Sequence, residues 1–482
     1  MKRLSGVDAM LLYSETPQIH THTLKVGLLD VSNIRGGYSF EKFRNRAAPR
    51  LLGLAPLRYQ LVGIPLKFHH PMWRENASID PSYHVRRIDV PAPGGRRELD
   101  QVIGIIAGCP LSRDRPLWQM YVAEGVAGGR VAVIWKVHHA LADGIASANM
   151  IAKALRSPDS LVQEGLAARP DVVPSNRHLL EAALRDHLKQ LAALPKLIWN
   201  SGEGIVRVWQ QARKRQADAQ LRRPIAPPKS FINHVVSPGR LFATAPLPLA
   251  DVKQTSKALG VTINDLVLAM AAGALRKLLL HYDGRADSPL VAGVPVSFDR
   301  SVDRMNGNEI GYVTPPLLVN IEDRLDLVRM TAQATAIAKE NFHLRGPTLM
   351  ASWLNYLPPP LAPAMFRWQS RRWTSGMAMN LTISNVPGPR QISSFDGATI
   401  TEIYSVGPLA AGSALNITVW SYADQLAISV LTDDVTVDDP HEVTDAMTQE
   451  FAEIRLAVGL STAIAPIRST LPTARPARAA TT

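Results

Sequence analysis

Val131-Ala-Val-Ile-Trp-Lys-Val137 runs straight into His138-His139-Ala140-Leu141-Ala142-Asp143-Gly144. An apolar, partly β-branched run of this length reads as a strand. The two histidines therefore stand at a strand end, within reach of a substrate. From Gly144 to Leu155 the pattern becomes helical, with Ile145, Ala148, Ala152 and Leu155 on one face. Asp143 suits the N-cap, because a carboxylate oxygen accepts first-turn N–H groups. Histidine is the side chain whose proton affinity lies nearest neutrality, which makes it the usual general base.

A lone histidine at a strand end is more often structural than chemical. The pair, followed at fixed spacing by Asp-Gly, says more. A metal site is the chemical rival. Neighbouring strand residues point to opposite faces, so His138 and His139 do not readily grip one ion. No His-x-x-x-His or Cys-x-x-Cys spacing lies nearby, so no metal is expected. Strand period does not select one histidine over the other as the base.

Other segments carry weaker signals. Thr262-x-x-Asp265 resembles a capping box at the head of an apolar helix, so Asn264 and Asp265 read as a helix start at least as readily as a substrate contact. Leu117 and Trp118 read as core behind the site. Ser384 and Asn385 follow the apolar strand Ala378–Ile383 and are placed to offer a donor to an oxyanion. Pro387-Gly388-Pro389 reads as a turn.

The chain has 482 residues, 46% of them hydrophobic and 20% charged, which allows a large core and two or three domains. Its single cysteine, Cys109, permits no internal disulfide, fits a reducing compartment, and reads as buried small-residue packing. No secretory signal or spanning helix is read. The longest uncharged run, Gly346–Phe366, holds five prolines and suits a greasy surface.

A net charge of +12 favours nucleic acid, anionic lipid or nucleotide phosphates as partners. No zinc-finger spacing or nucleic-acid motif occurs, so nucleic acid is not expected. Residues 185–223 carry Arg185, Lys189, Lys196, Arg207, Arg213, Lys214, Arg215, Arg222 and Arg223, interleaved with Trp199 and Trp209. Such a stretch is either an interfacial membrane anchor or a solvated linker helix. The expected location is the cytoplasm, with peripheral attachment to the inner face of the plasma membrane as the added reading.

Strands and helices alternate in both halves. The expected organisation is 1–184 with the histidine motif, a basic, partly helical linker at 185–230, a second unit at 231–460, and a disordered tail at 461–482. The fold class is α/β, with α+β mixed sheets in two domains.

His-His-x-x-x-Asp-Gly resembles the signature of the CoA-dependent acyltransferase superfamily. Pro110-Leu-Ser-Arg-Asp-Arg-Pro-Leu-Trp118, Val261-Thr-Ile-Asn-Asp-Leu-Val-Leu-Ala269, Val294-Pro-Val-Ser297 and Ser384-Asn-Val-Pro-Gly-Pro389 are similar to motifs of its bacterial wax ester synthase/diacylglycerol acyltransferase branch. Leu4-Ser-Gly-Val-Asp-Ala9 and Ser421-Tyr422 fit as well, so the resemblance covers about residues 1–460. Ala423-Asp424 departs from it, standing where Asn-Gly often lies.

The resemblance implies two chloramphenicol acetyltransferase-like domains with an active-site tunnel between them. His139 would be the base, His138 its structural neighbour and Asp143 a turn stabiliser. Gly144, Asn264, Asp265, Trp118, Ser384 and Asn385 would border the substrates. Acyl-CoA would be a co-substrate, with no permanently bound cofactor. The acceptor would be diacylglycerol or a long-chain alcohol, at a membrane or lipid-droplet surface. A polyketide or glycolipid acceptor, a peptide condensation domain and a catalytically weak lipid-binding homologue remain as alternatives.

Overall fold

The strand expected from Val131 forms as Arg130–His138 and ends on the first histidine. The structure is a computed structural model and describes residues 1–156, 160, 162–163, 165, 169, 171–215, 221, 224, 226–374 and 378–463. Most of the expected tail, 464–482, lies outside the described residues.

The first half supplies strands β1 (His22–Asp30), β2 (Val85–Asp89), β3 (Trp118–Val126) and β4 (Arg130–His138). Its helices are α1 (Gly6–Ser14), α2 (Phe40–Gly53), α3 (Arg96–Gly108), α4 (Gly144–Arg156) and the long α5 (Asn176–Lys214). The second half supplies β5 (Leu241–Pro248), α6 (Leu249–Leu259), α7 (Ile263–Tyr282), β6 (Leu290–Ser297), β7 (Ile310–Val313), β8 (Pro316–Leu317) and α8 (Arg324–Arg345). It continues with α9 (Leu349–Leu354), α10 (Ala362–Arg372), β9 (Leu381–Pro387), β10 (Ser394–Phe395), β11 (Ala398–Val406), β12 (Leu415–Tyr422), β13 (Gln425–Thr432) and α11 (His441–Ala457).

Two mixed sheets result. The first has the order β10-β11-β1-β4-β3-β2; the second runs β7-β6-β9-β12-β13-β5, with β8 also on β6. The second half thus lends two strands to the first sheet. Residues 394–406 leave the unit read from sequence as 231–460 and pair antiparallel beside β1. Without them β1 would present an open edge.

Alternation along β1 and β4 sends residues to two different layers. Leu24, Val26, Leu28, Ala132 and Ile134 pack with α3 and with Phe242 and Leu431 of the second sheet. Leu29, Val131, Trp135 and Val137 face α2 and α4 on the other side. That double burial is why β4 is apolar throughout. α3 is wedged against the second sheet, and a Cβ on Gly104 would stand 2.7 Å from the Arg240 carbonyl oxygen, so only glycine permits the approach. Arg96 fixes the same layer through Glu402 (2.8 Å), Tyr404 (2.6 Å) and Thr244 (3.0 Å).

Two local expectations change. α4 has the expected extent, but its buried face is shifted: Ala146, Ser147 and Met150 are buried, while of the expected face Ala148 and Leu155 pack partly buried against the same core. Cys109 is exposed rather than buried, because α3 ends there and turns the residue outward. The β12–β13 hairpin places Ala423 at φ 50°, a left-handed position that Asn or Gly occupies with less strain.

Candidate active site

β4 stops where its partner strand does. His22 and His138 are opposite one another, and the His139 N–H then donates to the Thr21 carbonyl at 2.8 Å. A loop from the second half crosses the turn that follows. The Gly307 N–H donates to the Leu141 carbonyl (2.8 Å), and the Asp143 N–H to the Gly307 carbonyl (3.2 Å). Gly307 sits at φ 77°, where L side chains are disfavoured. The site therefore lies where the two halves of the chain meet.

Hydrogen bonds lock the two histidines in opposite tautomers. His138 is fully buried. Its Nδ1 accepts the Ala140 N–H at 3.0 Å, so in the neutral ring the proton is on Nε2. Thr21 Oγ1 lies 3.0 Å from that nitrogen and sends its own proton to the Leu11 carbonyl, so it accepts from His138. Both nitrogens of His138 are occupied.

His139 is the reverse. Its Nδ1 is 2.9 Å from Asn308 Oδ1. The Asn308 amide nitrogen donates to Asp8 Oδ1 and to the His139 carbonyl oxygen, each at 2.7 Å. Both of those are acceptors, so the amide has one orientation and its oxygen must face the ring. Nδ1 therefore carries the proton, and Nε2 holds a bare lone pair with no side-chain or backbone donor on it among the described residues. The ring is half-buried. Burial, aided by the nearby Lys25 charge, pushes its pKa below the ordinary 6.5, so it is neutral at pH 7. Strand period does not separate the two histidines; their hydrogen bonds do, leaving an unengaged ring nitrogen on His139 and none on His138.

Asp143 is buried and caps α4 through the Ala146 N–H at 2.9 Å. It also accepts the Glu309 N–H (3.2 Å) and the Arg304 guanidinium (2.9 and 3.0 Å). Arg304 in turn reaches the Gly307 carbonyl at 3.1 Å, so one cation holds both the turn and the loop across it. Gly144 gives clearance rather than contact: a Cβ there would stand 3.2 Å from Val386 Cγ2.

The remaining candidates divide. Ser384 and Asn385 are half-buried on β9, beside the Val386 that packs on Gly144, and their side chains make no hydrogen bond among the described residues. β9 runs on to Pro387, so they lie within the strand rather than beyond its end. Trp118 is in the core, 1% exposed, with its indole N–H on the Leu57 carbonyl at 2.7 Å. Asp265 completes the capping box with Thr262 and accepts the Thr335 hydroxyl at 2.6 Å, so its oxygens are engaged in holding α7. Asn264 is half-buried in the same first turn. Neither bonds to the histidines.

Glu15, His22 and His138 bring ligand-type atoms within 4.8 Å of one another. Metal coordination through His138 Nε2 would displace its proton while Nδ1 still accepts the Ala140 N–H, which leaves an imidazolate or costs that hydrogen bond. The grouping is a buried carboxylate–histidine network: His22 Nε2 lies 3.0 Å from Glu15, which Arg113 also pairs at 2.9 Å.

A cavity of about 120 Å³ lies on the same sheet face as Trp135, between β1 and β4 below and α2 and α4 above. Its walls include Phe43, Leu51, Met150 and Ala154, with Phe395, Ile400 and Ile403 from the second half. Lys25 is on its lining. That amine bonds Ser405 at 2.8 Å, and burial lowers its pKa to about 8, against the pull of Asp143. Its charge acts on His139 as well. Lys25 thus links the apolar cavity to His139.

Asn308, Asp8, Arg304 and Lys25 were not singled out from sequence. Asp8 stands inside the Leu4–Ala9 block, and Asn308 closes Asn306-Gly-Asn308, whose composition is that of a turn and carries no sign of where the turn packs.

Residues 4–267 match the wax ester synthase/diacylglycerol acyltransferase catalytic domain, and residues 306–455 match the corresponding C-terminal domain. A Mycobacterium tuberculosis H37Rv protein named as a diacylglycerol O-acyltransferase is 52% identical over 473 residues, covering 98% of this chain and 99% of that protein. A second from the same strain, similarly named, is 34% identical over 460 residues, covering 94% and 90%. The solved wax ester synthase/diacylglycerol acyltransferase of Marinobacter aquaeolei VT8 superposes with a TM-score of 0.66 at 25% identity, over 95% of this chain and 100% of that one. A starter condensation domain of rhizomide synthetase, crystallised with C8-CoA, shares the fold alone (TM-score 0.54, 16% identity, 96% and 95% covered). Two joined mixed-sheet halves with a histidine at their meeting point define the CoA-dependent acyltransferase fold. Within it, this chain belongs to the wax ester synthase/diacylglycerol acyltransferase family.

Proposed function

We propose that the chain transfers the acyl group of acyl-CoA to the free hydroxyl of diacylglycerol, forming triacylglycerol, and takes long-chain alcohols as second acceptors to give wax esters. The carrying observation is the bare Nε2 of His139, with Nδ1–H held by Asn308 at 2.9 Å. That nitrogen takes the hydroxyl proton as the oxygen attacks the thioester carbonyl. The tetrahedral intermediate then collapses, the C–S bond breaks, and the imidazolium returns its proton to the CoA thiolate. Ester and CoA leave, and no covalent acyl-enzyme is required. Asn308 accepts the ring proton as a neutral amide, so it orients the imidazole without trapping it as a cation. The cavity lined by Phe43, Leu51 and Met150 suits an acyl chain, and β9, with Ser384 and Asn385, lies next to the head of α4. Positioning two substrates supplies much of the acceleration.

The relatives' names support the acceptor class, and the apolar cavity supports a long-chain donor. The test is transfer of radiolabelled acyl-CoA to diacylglycerol and to a long-chain alcohol, with lipids separated by thin-layer chromatography. His139→Ala should lower transfer by about 10²–10⁴-fold in a protein that still folds cooperatively. A folded His139→Ala protein with full turnover would overturn the reading.

A further inference from the structure

The long helix α5 has three distinct sides. Its 39 residues span roughly 58 Å at 1.5 Å per residue. One side packs on the body through Leu179, Ala183, Leu197 and Gly204. Beside it, at spacings of three, four or seven, run Leu184, Leu188, Leu191, Ile198, Ile205 and Trp209, each 52–64% exposed. Trp199, on the edge of that row, is 74% exposed. Six large apolar side chains in one row are far more than scattered surface hydrophobics.

The third side is basic. Arg185, Lys196 and Arg207 recur every eleven residues, three turns apart, and Lys189 and Lys214 fall on the same line. α5 carries seven Lys/Arg against three carboxylates. All three carboxylates are engaged: Glu181 with Arg177, Glu203 with Arg207, and Asp186 with Arg3. Among the described residues, Arg185, Lys189 and Lys196 have no acidic partner.

A second element enlarges the apolar row. Phe68 meets His187 of α5 edge-on at 5.0 Å. Two residues earlier, Leu66 is 90% exposed at φ 57°. A branched residue held left-handed and pointed into solvent is costly on both counts.

We propose that α5 and the Leu66 turn lie in the plane of a phospholipid surface carrying anionic headgroups. The apolar row sinks among acyl chains and the basic row rests on phosphates. A second copy of the chain fits less well. Antiparallel pairing of two such helices would set basic row against basic row, and no acidic flank is available to answer it. Spanning is also excluded for this element, since no single described helix is long and apolar enough to cross. The inference stands apart from the catalytic reading, because binding is measured without turnover.

The test is flotation of the full chain with phosphatidylcholine vesicles, with and without phosphatidylglycerol, at low salt and at about 1 M salt, where charges are screened beyond about 3 Å. Binding should require phosphatidylglycerol, blue-shift the tryptophan emission and fall in high salt. Replacing Arg185, Lys189 and Lys196 together with Gln should weaken it on the order of a hundredfold, at about fivefold per charge. Replacing Leu188, Ile198 and Trp199 together with Ser should abolish it. All six positions are exposed, so thermal midpoints should hold. Wild-type protein that stays in the buffer, floats equally on neutral vesicles, or dimerises through α5 in place of binding would overturn the proposal. So would triple variants that float like wild type.

Discussion

Removing the Asn308 amide tests the tautomer argument directly. In Asn308→Ala, the His139 Nδ1–H loses its acceptor at 2.9 Å, and Asp8 and the His139 carbonyl lose donors at 2.7 Å. The first loss acts on chemistry. A buried N–H without a partner costs about 1–3 kcal/mol, which is the bias now holding the reactive tautomer. At about 1.4 kcal/mol per tenfold, turnover should fall about 5- to 150-fold. The other two losses act on stability, at a similar cost each. Asn308→Asp keeps an acceptor for Nδ1 but sets a carboxylate against Asp8, whose pKa burial already pushes up to about 6 against the Asn308 and Ser5 hydrogen bonds. There the imidazolium is favoured, and the acid limb of the pH–rate profile should move to higher pH. Asp8→Asn preserves an acceptor for the amide and should keep most activity. CoA thiol release, followed from pH 5 to 9 beside thermal midpoints, reads all three variants. A folded Asn308→Ala protein with wild-type turnover and an unshifted profile would refute the argument.

Arg304→Ala strands the buried Asp143 carboxylate and should cost about 3–5 kcal/mol in denaturant unfolding; a loss below about 1 kcal/mol would contradict the role given to that pair. Ala154→Leu fills part of the cavity beside Met150, at about 1–3 kcal/mol of overpacking, and should turn a mixture of acyl-CoA donors toward the shorter chains; an unaltered chain-length profile would remove the acyl chain from that cavity. Burial holds five histidines neutral: His20, His70 and His84 titrate at about 4, His22 and His69 at about 3. The unfolded chain takes up those protons below about 6.5 and the folded one does not, so stability falls as pH drops from 6.5. Each histidine costs about 1.4 kcal/mol one pH unit lower, whereas the carboxyls that burial raises, Asp8, Glu402 and Glu450, work the other way. The thermal midpoint should decline steeply between pH 6.5 and 5, and a flat midpoint there would show the rings to be accessible.

The histidine strand, the cap at Asp143 and the Thr262–Asp265 box were all legible, because each is decided by residues a few positions apart. Gly144 to Leu155 was readable as a helix, yet its buried face was only partly so, since α2 and the sheet determine which side is covered. Cys109 misled for a related reason: a small residue in an apolar context looks internal until the helix end rotates it outward. Asn308 and Arg304 act across more than 160 residues of sequence, and nothing local distinguishes them from other loop residues. Trp118 carried a family motif and turned out to brace the strand behind the site through Leu57.

Strand β11 is made from residues 398–406 yet lies against β1, near the beginning of the chain. During synthesis the ribosome must therefore release over four-fifths of the polypeptide before the first sheet can close. Until then the nascent N-terminal half carries an uncapped apolar ribbon, and the cell's chaperones face an intermediate far stickier than the finished protein.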